Sequence, residues 1–379
     1  MSLESMEFQV FVKPVGASCN LSCKYCYYLD KVKLHKGTEL KSMPDEILEA
    51  YIFQHLNATS ANDVFFSWHG GEPTLAGLEF YRNVVALQKE LNGCGKNIIN
   101  GLQTNGINLT DEWCSFLADE RFIVGISLDG PERIHNVNRQ FTSGKGSFQD
   151  VIRGLELVKK HQIFFEILCV VNAHNVDYPL EVYSFFKSID ARYISFLPLV
   201  EKHSFTESDV SADSVPSAAF GDFLISIFDS WQEHDIGRIK IQIIEEALRT
   251  AFNQDHTLCI FKKNCGGVPV LEKNGDLYSC DHYVKSDYLL GNILQKDLAE
   301  MIKSDVQKKF GKQKSDSLPL FCLNCEVLDM CNGECPKNRF CHSPTGEDGL
   351  NYLCEGYKKF FMHCKPFAEA VSEVWRSKI

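Results

Sequence analysis

The run Cys19-Asn-Leu-Ser-Cys23-Lys-Tyr-Cys26 places three thiols within eight residues. Soft sulfur ligands so close in sequence suit an iron–sulfur cluster, and three of them hold three irons of a [4Fe–4S] cube. A cube takes four ligands, so one iron is left open to chelate a substrate or cofactor. A structural cluster or zinc site is instead closed by a fourth protein ligand. A zinc knot or a chance grouping is the plainer alternative, and the rest of the chain decides between them.

Sixteen cysteines in 379 residues belong either to a disulfide-rich secreted chain or to a metal-loaded intracellular one. The opening Met-Ser-Leu-Glu-Ser-Met-Glu-Phe lacks the basic region and apolar core of a signal peptide. A chain this long needs no disulfides to compensate for a thin core. The best apolar run, Ile163–Val171, suits one buried strand and is too short for a bilayer span. The expectation is a cytoplasmic protein with no membrane partner. A net charge of −11, with no basic run interleaved with aromatics, argues against a nucleic-acid partner as well.

Outward from the cysteine triad, β-rich apolar runs recur at Phe8–Val12, Val64–Trp68, Ile98–Leu102, Phe122–Ser127, Phe164–Val171 and Tyr193–Val200. Amphipathic stretches such as Glu46–Leu56 and Leu78–Leu91 lie between them. Such alternation predicts an α/β fold with a parallel sheet and right-handed crossovers. Six units are too few to close an eight-stranded barrel and enough for a partial (β/α)6 TIM-like barrel. The serine-rich, acidic stretch Glu207–Ser217 reads as an exposed loop.

Active sites of such barrels form at the C-terminal strand ends. The triad follows the first strand, Gly70-Gly71-Glu72-Pro73 the second, Gln103-Thr104-Asn105-Gly106 the third and Ser127-Leu128-Asp129-Gly130-Pro131 the fourth. Glycine and proline are ordinary turn residues. Four motifs at four successive strand ends are hard to attribute to turns alone. Lacking side chains, Gly70 and Gly71 let backbone carbonyls approach a cationic group closely.

Only Cys94, Cys114 and Cys169 lie between Cys26 and Cys259, and the rest crowd into the C-terminal third. That asymmetry predicts two domains, residues 1–235 and residues 236–379, the second a cysteine-rich domain. Cys259-x5-Cys265-x14-Cys280 precedes Cys322-x2-Cys325-x5-Cys331-x3-Cys335, and Cys354 follows. Eight thiolates make two four-ligand sites, for which spacing alone allows zinc, iron–sulfur clusters or inert buried thiols. The open triad on the same chain favours iron.

The C-x3-C-x2-C loop resembles the signature of the radical S-adenosylmethionine (SAM) enzymes. The C-terminal pattern resembles the SPASM domain, which holds two auxiliary [4Fe–4S] clusters. Val12–Tyr28, His69-Gly-Gly-Glu-Pro-Thr-Leu-Ala-Gly-Leu-Glu-Phe80, Leu102-Gln-Thr-Asn-Gly106, His135-Asn-Val-Asn-Arg139 and Tyr278-Ser-Cys-Asp-His-Tyr283 together resemble the anaerobic sulfatase-maturating enzymes. The similarity runs through nearly the whole chain. His69 stands where the resemblance predicts glutamine, and Val200–Pro216 matches weakly.

The resemblance implies SAM and three [4Fe–4S] clusters as cofactors. Cys19, Cys23 and Cys26 would hold the SAM-binding cluster, Cys259, Cys265, Cys280 and Cys335 the first auxiliary cluster, and Cys322, Cys325, Cys331 and Cys354 the second. It gives SAM contacts at Tyr25, Gly71, Ser127, Arg139 and Val200, with the Arg139 guanidinium suited to a carboxylate. It implies oxidation of a cysteine or serine in a sulfatase Cys/Ser-x-Pro-x-Arg motif to Cα-formylglycine, with a reductant such as flavodoxin or ferredoxin. The reduced open cluster would cleave SAM to methionine and a 5′-deoxyadenosyl radical, which takes a hydrogen from the target Cβ. Asp281 would take the thiol or hydroxyl proton, with His282 and His69 as alternatives. Another SPASM-type enzyme forming a thioether or carbon–carbon crosslink is the second reading. Its members often carry an extra peptide-binding module before the cluster loop, for which Cys19 leaves no room. A non-catalytic electron-transfer or zinc protein is the third, and it leaves the open triad unexplained.

Overall fold

The computed structural model describes residues 8–29, 31, 40–202 and 210–378. The chain forms two compact units that interleave along the sequence. The first comprises residues 1–127, 139–165 and 266–311, and the second residues 128–138, 166–265 and 312–379.

Strands β1 (Val10–Lys13), β2 (Asp63–Trp68), β3 (Asn97–Thr104) and β4 (Ile123–Ser127) carry the parallel ladder of the first unit. Val10 and Val12 of β1 and Val64 and Phe66 of β2, alternate residues that share one face of their strand, are fully buried, whereas Phe65 on the other face of β2 is exposed. The register sets Val12 against Trp68 and Trp68 against Leu102. Connecting helices bury one stripe each. Helix Asp45–Ala58 buries Ile47, Leu48, Tyr51, Ile52, His55 and Leu56, positions that fall on one face at 3.6 residues per turn. Helix Leu78–Leu91 buries Tyr81, Val84, Val85 and Gln88. The observed strands match the predicted runs to within a few residues at each end.

Strands β5 (Phe165–Val171), β6 (Tyr193–Pro198) and β7 (Lys240–Ile241) run parallel in the second unit. Sequence reading missed the two-residue β7, which is too short for a periodic signal. Strands β8 (Val270–Glu272), β9 (Asp276–Tyr278) and β10 (Leu289–Asn292) belong to the first unit, where β8 pairs parallel with β1 and the last three form an antiparallel meander. The first unit thus places a segment from the C-terminal half of the chain directly beside β1.

In the second unit, helix Ser217–His234 crosses helix Cys354–Arg376 through two glycines. A Cβ on Gly221 would meet the Gly356 carbonyl at 2.7 Å, and one on Gly356 the Ser217 carbonyl at 2.1 Å. Edge-to-face rings, Phe220 on Tyr357 at 5.5 Å, fill the crossing. The predicted exposed loop Glu207–Ser217 is corrected. Residues 207–209 lie outside the described residues, Ser214 and Val215 are buried, and Ser217 opens the helix. Val215 is fixed by donating its N–H to the Leu199 carbonyl at 2.9 Å, a main-chain bond that composition does not reveal. No helix among the described residues is long and apolar enough to cross a membrane.

Candidate active site

The loop after β1 carries the cysteine triad in the first unit. Cys26 packs against a small core of Ala17, Tyr28, Val270, Tyr278 and Val284. Cys19, Cys23 and Cys26 lie close enough for their charges to interact, and burial pushes the Cys19 thiol up to about 12. Its sulfur accepts the Leu21 N–H at 3.4 Å and faces the Asn105 amide at 4.0 Å. Bare thiolates are therefore disfavoured here, while N–H donors already point at the sulfur. Iron binding, which needs thiolates, supplies the missing compensation. The donor set fits a cluster.

The strand-end motifs knit this loop to its neighbours. The Glu72 carboxylate, buried, accepts from Thr74 N at 3.1 Å, Thr74 Oγ1 at 2.6 Å, Thr104 Oγ1 at 2.7 Å and Asn105 N at 2.8 Å. Asn105 donates to Asn20 Oδ1 at 2.7 Å, and Asn20 to Asn108 at 3.2 Å. One carboxylate thus locks the loops after β2 and β3 together, and Asn105 carries the connection to the residue beside Cys19. Sequence reading flagged these motifs but not Glu72 as their pin.

Gly71 is held against the cluster loop, donating its N–H to the Gly16 carbonyl at 2.8 Å. A Cβ there would lie 2.1 Å from the Ser18 carbonyl oxygen, so the position admits only glycine. Gly71→Ala should displace the Ser18–Cys19 backbone and empty the N-terminal cluster site. The expected iron content is about eight per chain in place of about twelve, measured after anaerobic reconstitution.

Two predicted SAM contacts come together, since the Arg139 guanidinium lies over the Tyr25 ring at 5.5 Å. Arg139 is buried, so it is no surface ion-pair residue. Ser127 ends β4, where its hydroxyl accepts from Gln103 Nε2 at 3.1 Å. Val200 is buried beyond the end of β6 in the second unit.

Asp281 is buried at 8 % exposure, one residue after Cys280. Its Oδ2 accepts the hydroxyl of Tyr27, the residue that follows Cys26. The Lys13 ammonium, also buried, pairs with Oδ1 at 2.8 Å, in a geometry that leaves this oxygen without a well-directed hydrogen bond. Burial alone would raise the carboxyl, but Lys13, His282 and the Tyr27 hydroxyl outweigh it and hold the group at about 2. Lys13 also sits over the Tyr28 ring at 4.4 Å. Tyr28 in turn donates to Glu272, the β8 residue opposite Lys13. Sequence reading missed Lys13, although a lysine closing an apolar strand just before Pro14 is a legible anomaly. His69 stacks on Phe11 at 4.1 Å, and burial with Lys13 nearby lowers it to about 3, so it is neutral.

The Lys13–Asp281 pair gives a pH test. A carboxyl depressed from 3.8 to about 2 contributes about 2 kcal/mol of stability above roughly pH 4, lost as pH falls through about 2. Lys13→Met leaves that carboxylate buried and unpaired, which should cost about 3–5 kcal/mol at neutral pH. The variant's melting temperature should fall most at pH 7 and less on acidification, because protonation relieves the buried charge. Anaerobic thermal melts between pH 5 and 8 measure this.

Of the cysteines expected to hold auxiliary clusters, the second unit contains all but Cys280, which belongs to the first. Cys322, Cys325, Cys331 and Cys354 line one cavity with Phe321, Val327 and Leu328. Four sulfurs on an apolar wall suit a closed [4Fe–4S] cube. Cys354 is the first residue of a 23-residue helix, and burial outweighs the helix N-terminus, raising its thiol to about 11. Burial raises Cys331 to about 12 and Cys259 to about 11. Cys259 interacts with Cys265 and with Lys314. Of the thiols outside the cluster sets, Cys114, Cys169 and Cys364 are buried, Cys341 is half-buried and Cys94 is exposed.

The radical SAM superfamily pattern matches residues 14–186, and the SPASM iron–sulfur cluster-binding domain matches residues 259–326. Fold and site thus define a radical SAM enzyme, an α/β protein with a C-terminal SPASM domain that uses SAM and [4Fe–4S] clusters. The serine-type anaerobic sulfatase-maturating enzyme of Bacteroides thetaiotaomicron is 44% identical over 95% of this chain and 90% of its own. The cysteine-type enzyme of Clostridium perfringens is 33% identical over 94% of this chain and 96% of its own. The solved structure of anSMEcpe with bound AdoMet and a Cp18Cys peptide superposes with a TM-score of 0.87 at 32% identity, covering 96% of this chain and 99% of that one. The chain belongs to the family of anaerobic sulfatase-maturating enzymes.

Proposed function

We propose that this enzyme oxidises a cysteine or serine within a Cys/Ser-x-Pro-x-Arg motif of a sulfatase to Cα-formylglycine, with Asp281 as the proton acceptor. The observation that carries the reading is the Tyr27–Asp281 hydrogen bond, which fixes a buried, ionised carboxylate beside the residue that follows cluster ligand Cys26. Bound SAM and its cluster supply the hydrogen-abstracting chemistry. The oxidation removes two electrons from the target, one with the Cβ hydrogen and one alone, which would pass to an auxiliary cluster, and a proton leaves the thiol or hydroxyl. Serine thereby becomes the aldehyde, and cysteine a thioaldehyde that water hydrolyses to the aldehyde with release of hydrogen sulfide. In this reading the Asp281 carboxylate takes that proton. A carboxylate held near 2 is a weak base, and it suffices because loss of the second electron makes the substrate proton strongly acidic.

Cys19, Cys23 and Cys26 hold the SAM-binding cluster in this proposal, with Tyr25, Gly71, Ser127, Arg139 and Val200 around SAM. Cys259, Cys265, Cys280 and Cys335 hold the first auxiliary cluster, and Cys322, Cys325, Cys331 and Cys354 the second. Residues 1–235 form the radical SAM part and 236–379 the auxiliary-cluster part. We place the enzyme in the cytoplasm, served by a reductant such as flavodoxin or ferredoxin, and the net charge of −11 speaks for a polypeptide over a nucleic acid as partner.

The test is to incubate the anaerobically reconstituted enzyme with SAM, dithionite and matched Cys-x-Pro-x-Arg and Ser-x-Pro-x-Arg peptides, and to follow peptide mass. Formylglycine from at least one peptide supports the reading, and the ratio of the two rates assigns the target residue. A crosslinked product would favour the thioether or carbon–carbon alternative.

A further inference from the structure

Asn332, Gly333 and Glu334 form three successive residues with positive φ, at 46°, 69° and 52°. They are the whole spacer between Cys331 and Cys335. Left-handed backbone is strained for residues with a Cβ, and a run of three does not persist unless something holds it. Here side chains do so, Arg339 with the most bonds to its backbone, while Asn351 Nδ2 also donates to the Gly333 carbonyl at 3.4 Å. The Arg339 guanidinium donates from Nε to the Gly333 carbonyl at 2.7 Å, and from Nη2 to the Asn332 and Glu334 carbonyls at 2.7 and 3.2 Å. It packs so closely that a Cβ on Gly333 would lie 2.5 Å from Nη2. The fork has one further partner, since Nη1 donates to the Lys314 carbonyl at 2.6 Å. Lys314, fully buried, donates its ammonium to the carbonyls of Cys259 at 3.0 Å and Ile260 at 2.6 Å.

We propose that Arg339 is a positioning residue shared by both auxiliary clusters, holding the left-handed Asn332–Glu334 turn so that Cys331 and Cys335 face different cluster sites. The inference rests on the ligand sets proposed above, in which Cys331 serves the second auxiliary cluster and Cys335 the first. Through Lys314 the same guanidinium reaches the backbone of Cys259, a third ligand-bearing segment. Its charge also interacts with Cys265, Cys322 and Cys331, cysteines of both proposed sets. A lysine would keep the charge, but its single ammonium cannot reproduce a planar fork on four carbonyls.

The experiment compares iron and sulfide per chain, and the EPR of the reduced protein, in four variants of the full-length enzyme. Cys331→Ala and Cys335→Ala should each lose one auxiliary cluster, leaving about eight irons. If either keeps twelve or falls to four, the ligand sets fail, independently of Arg339. Arg339→Lys should lose both auxiliary clusters and retain about four irons in the SAM-binding site. Glycine adopts left-handed backbone without strain, so Asn332→Gly combined with Arg339→Lys should recover auxiliary iron to about eight or more. Asn332→Gly alone should keep about twelve. Full iron in Arg339→Lys, or loss of a single cluster, would overturn the shared role. Loss of both clusters without rescue by Asn332→Gly would overturn a role exercised through the turn. So would iron loss from the Asn332→Gly control.

Discussion

Asp281→Asn is expected to keep all three clusters and to cleave SAM, yet to form formylglycine at least about a hundredfold more slowly, the usual scale for losing a general base. The two tasks are separable in this chain. We assign the cysteine loop and the Glu72 network behind it to SAM binding; the Glu72 carboxylate is bonded to Thr74, Thr104 and Asn105, and the loop touches Asp281 through the Tyr27 hydroxyl, which asparagine can still hold. Asparagine preserves size and can still accept the Tyr27 hydroxyl, but it takes up no proton as a carboxylate does. It also leaves the buried Lys13 ammonium without its anionic partner, so some loss of thermal stability accompanies the loss of rate. The signature is therefore a ratio. Deoxyadenosine should accumulate out of proportion to oxidised peptide, as read by chromatography and mass spectrometry on one reaction. A variant that oxidises peptide at the wild-type rate would make Asp281 a bystander and turn attention to His282 or bound water. His69 is a poor substitute, because burial and Lys13 suppress its uptake of a proton.

Replacing Cys19, Cys23 and Cys26 together by alanine has the larger effect: all SAM cleavage should disappear, and iron should fall from about twelve to about eight per chain. The auxiliary clusters should survive, because the ligands proposed for them in the second unit are built on separate supports. Cys354 stands on a helix anchored at the Gly221–Gly356 crossing, and the Cys331–Cys335 turn is gripped by Arg339. Iron and sulfide assays and EPR of the reduced variant measure both expectations. Residual SAM cleavage would mean that a cluster other than the triad's binds SAM.

What was legible in the sequence had a short-range signal. The six predicted strands rest on apolar β-rich runs, and each was found within a few residues of its expected place. The cysteine spacings likewise survive without tertiary knowledge, because ligand geometry constrains neighbours along the chain. What was not legible depends on distant segments meeting. Lys13 and Asp281 are 268 positions apart, joined only because β8 pairs beside β1. Glu72 reads as part of a turn until Thr104 and Asn105 arrive from the next strand end. The role of Arg339 is hidden for another reason: its partners are carbonyls, which every residue carries. The glycine reading also changed in kind. Gly71 was expected to make room for a cationic ligand, and the structure shows that its missing side chain is needed first for the cluster loop's own backbone.

The most direct measurement of the central claim is a stoichiometry. Reconstituted enzyme, SAM and dithionite are mixed with a Cys-x-Pro-x-Arg or Ser-x-Pro-x-Arg peptide, and deoxyadenosine and peptide aldehyde are quantified from the same vial. The account predicts an aldehyde that reacts with a hydrazine probe and forms in proportion to deoxyadenosine from at least one of the two peptides. Deoxyadenosine formed while both peptides keep their mass, or become crosslinked with no aldehyde, would contradict it.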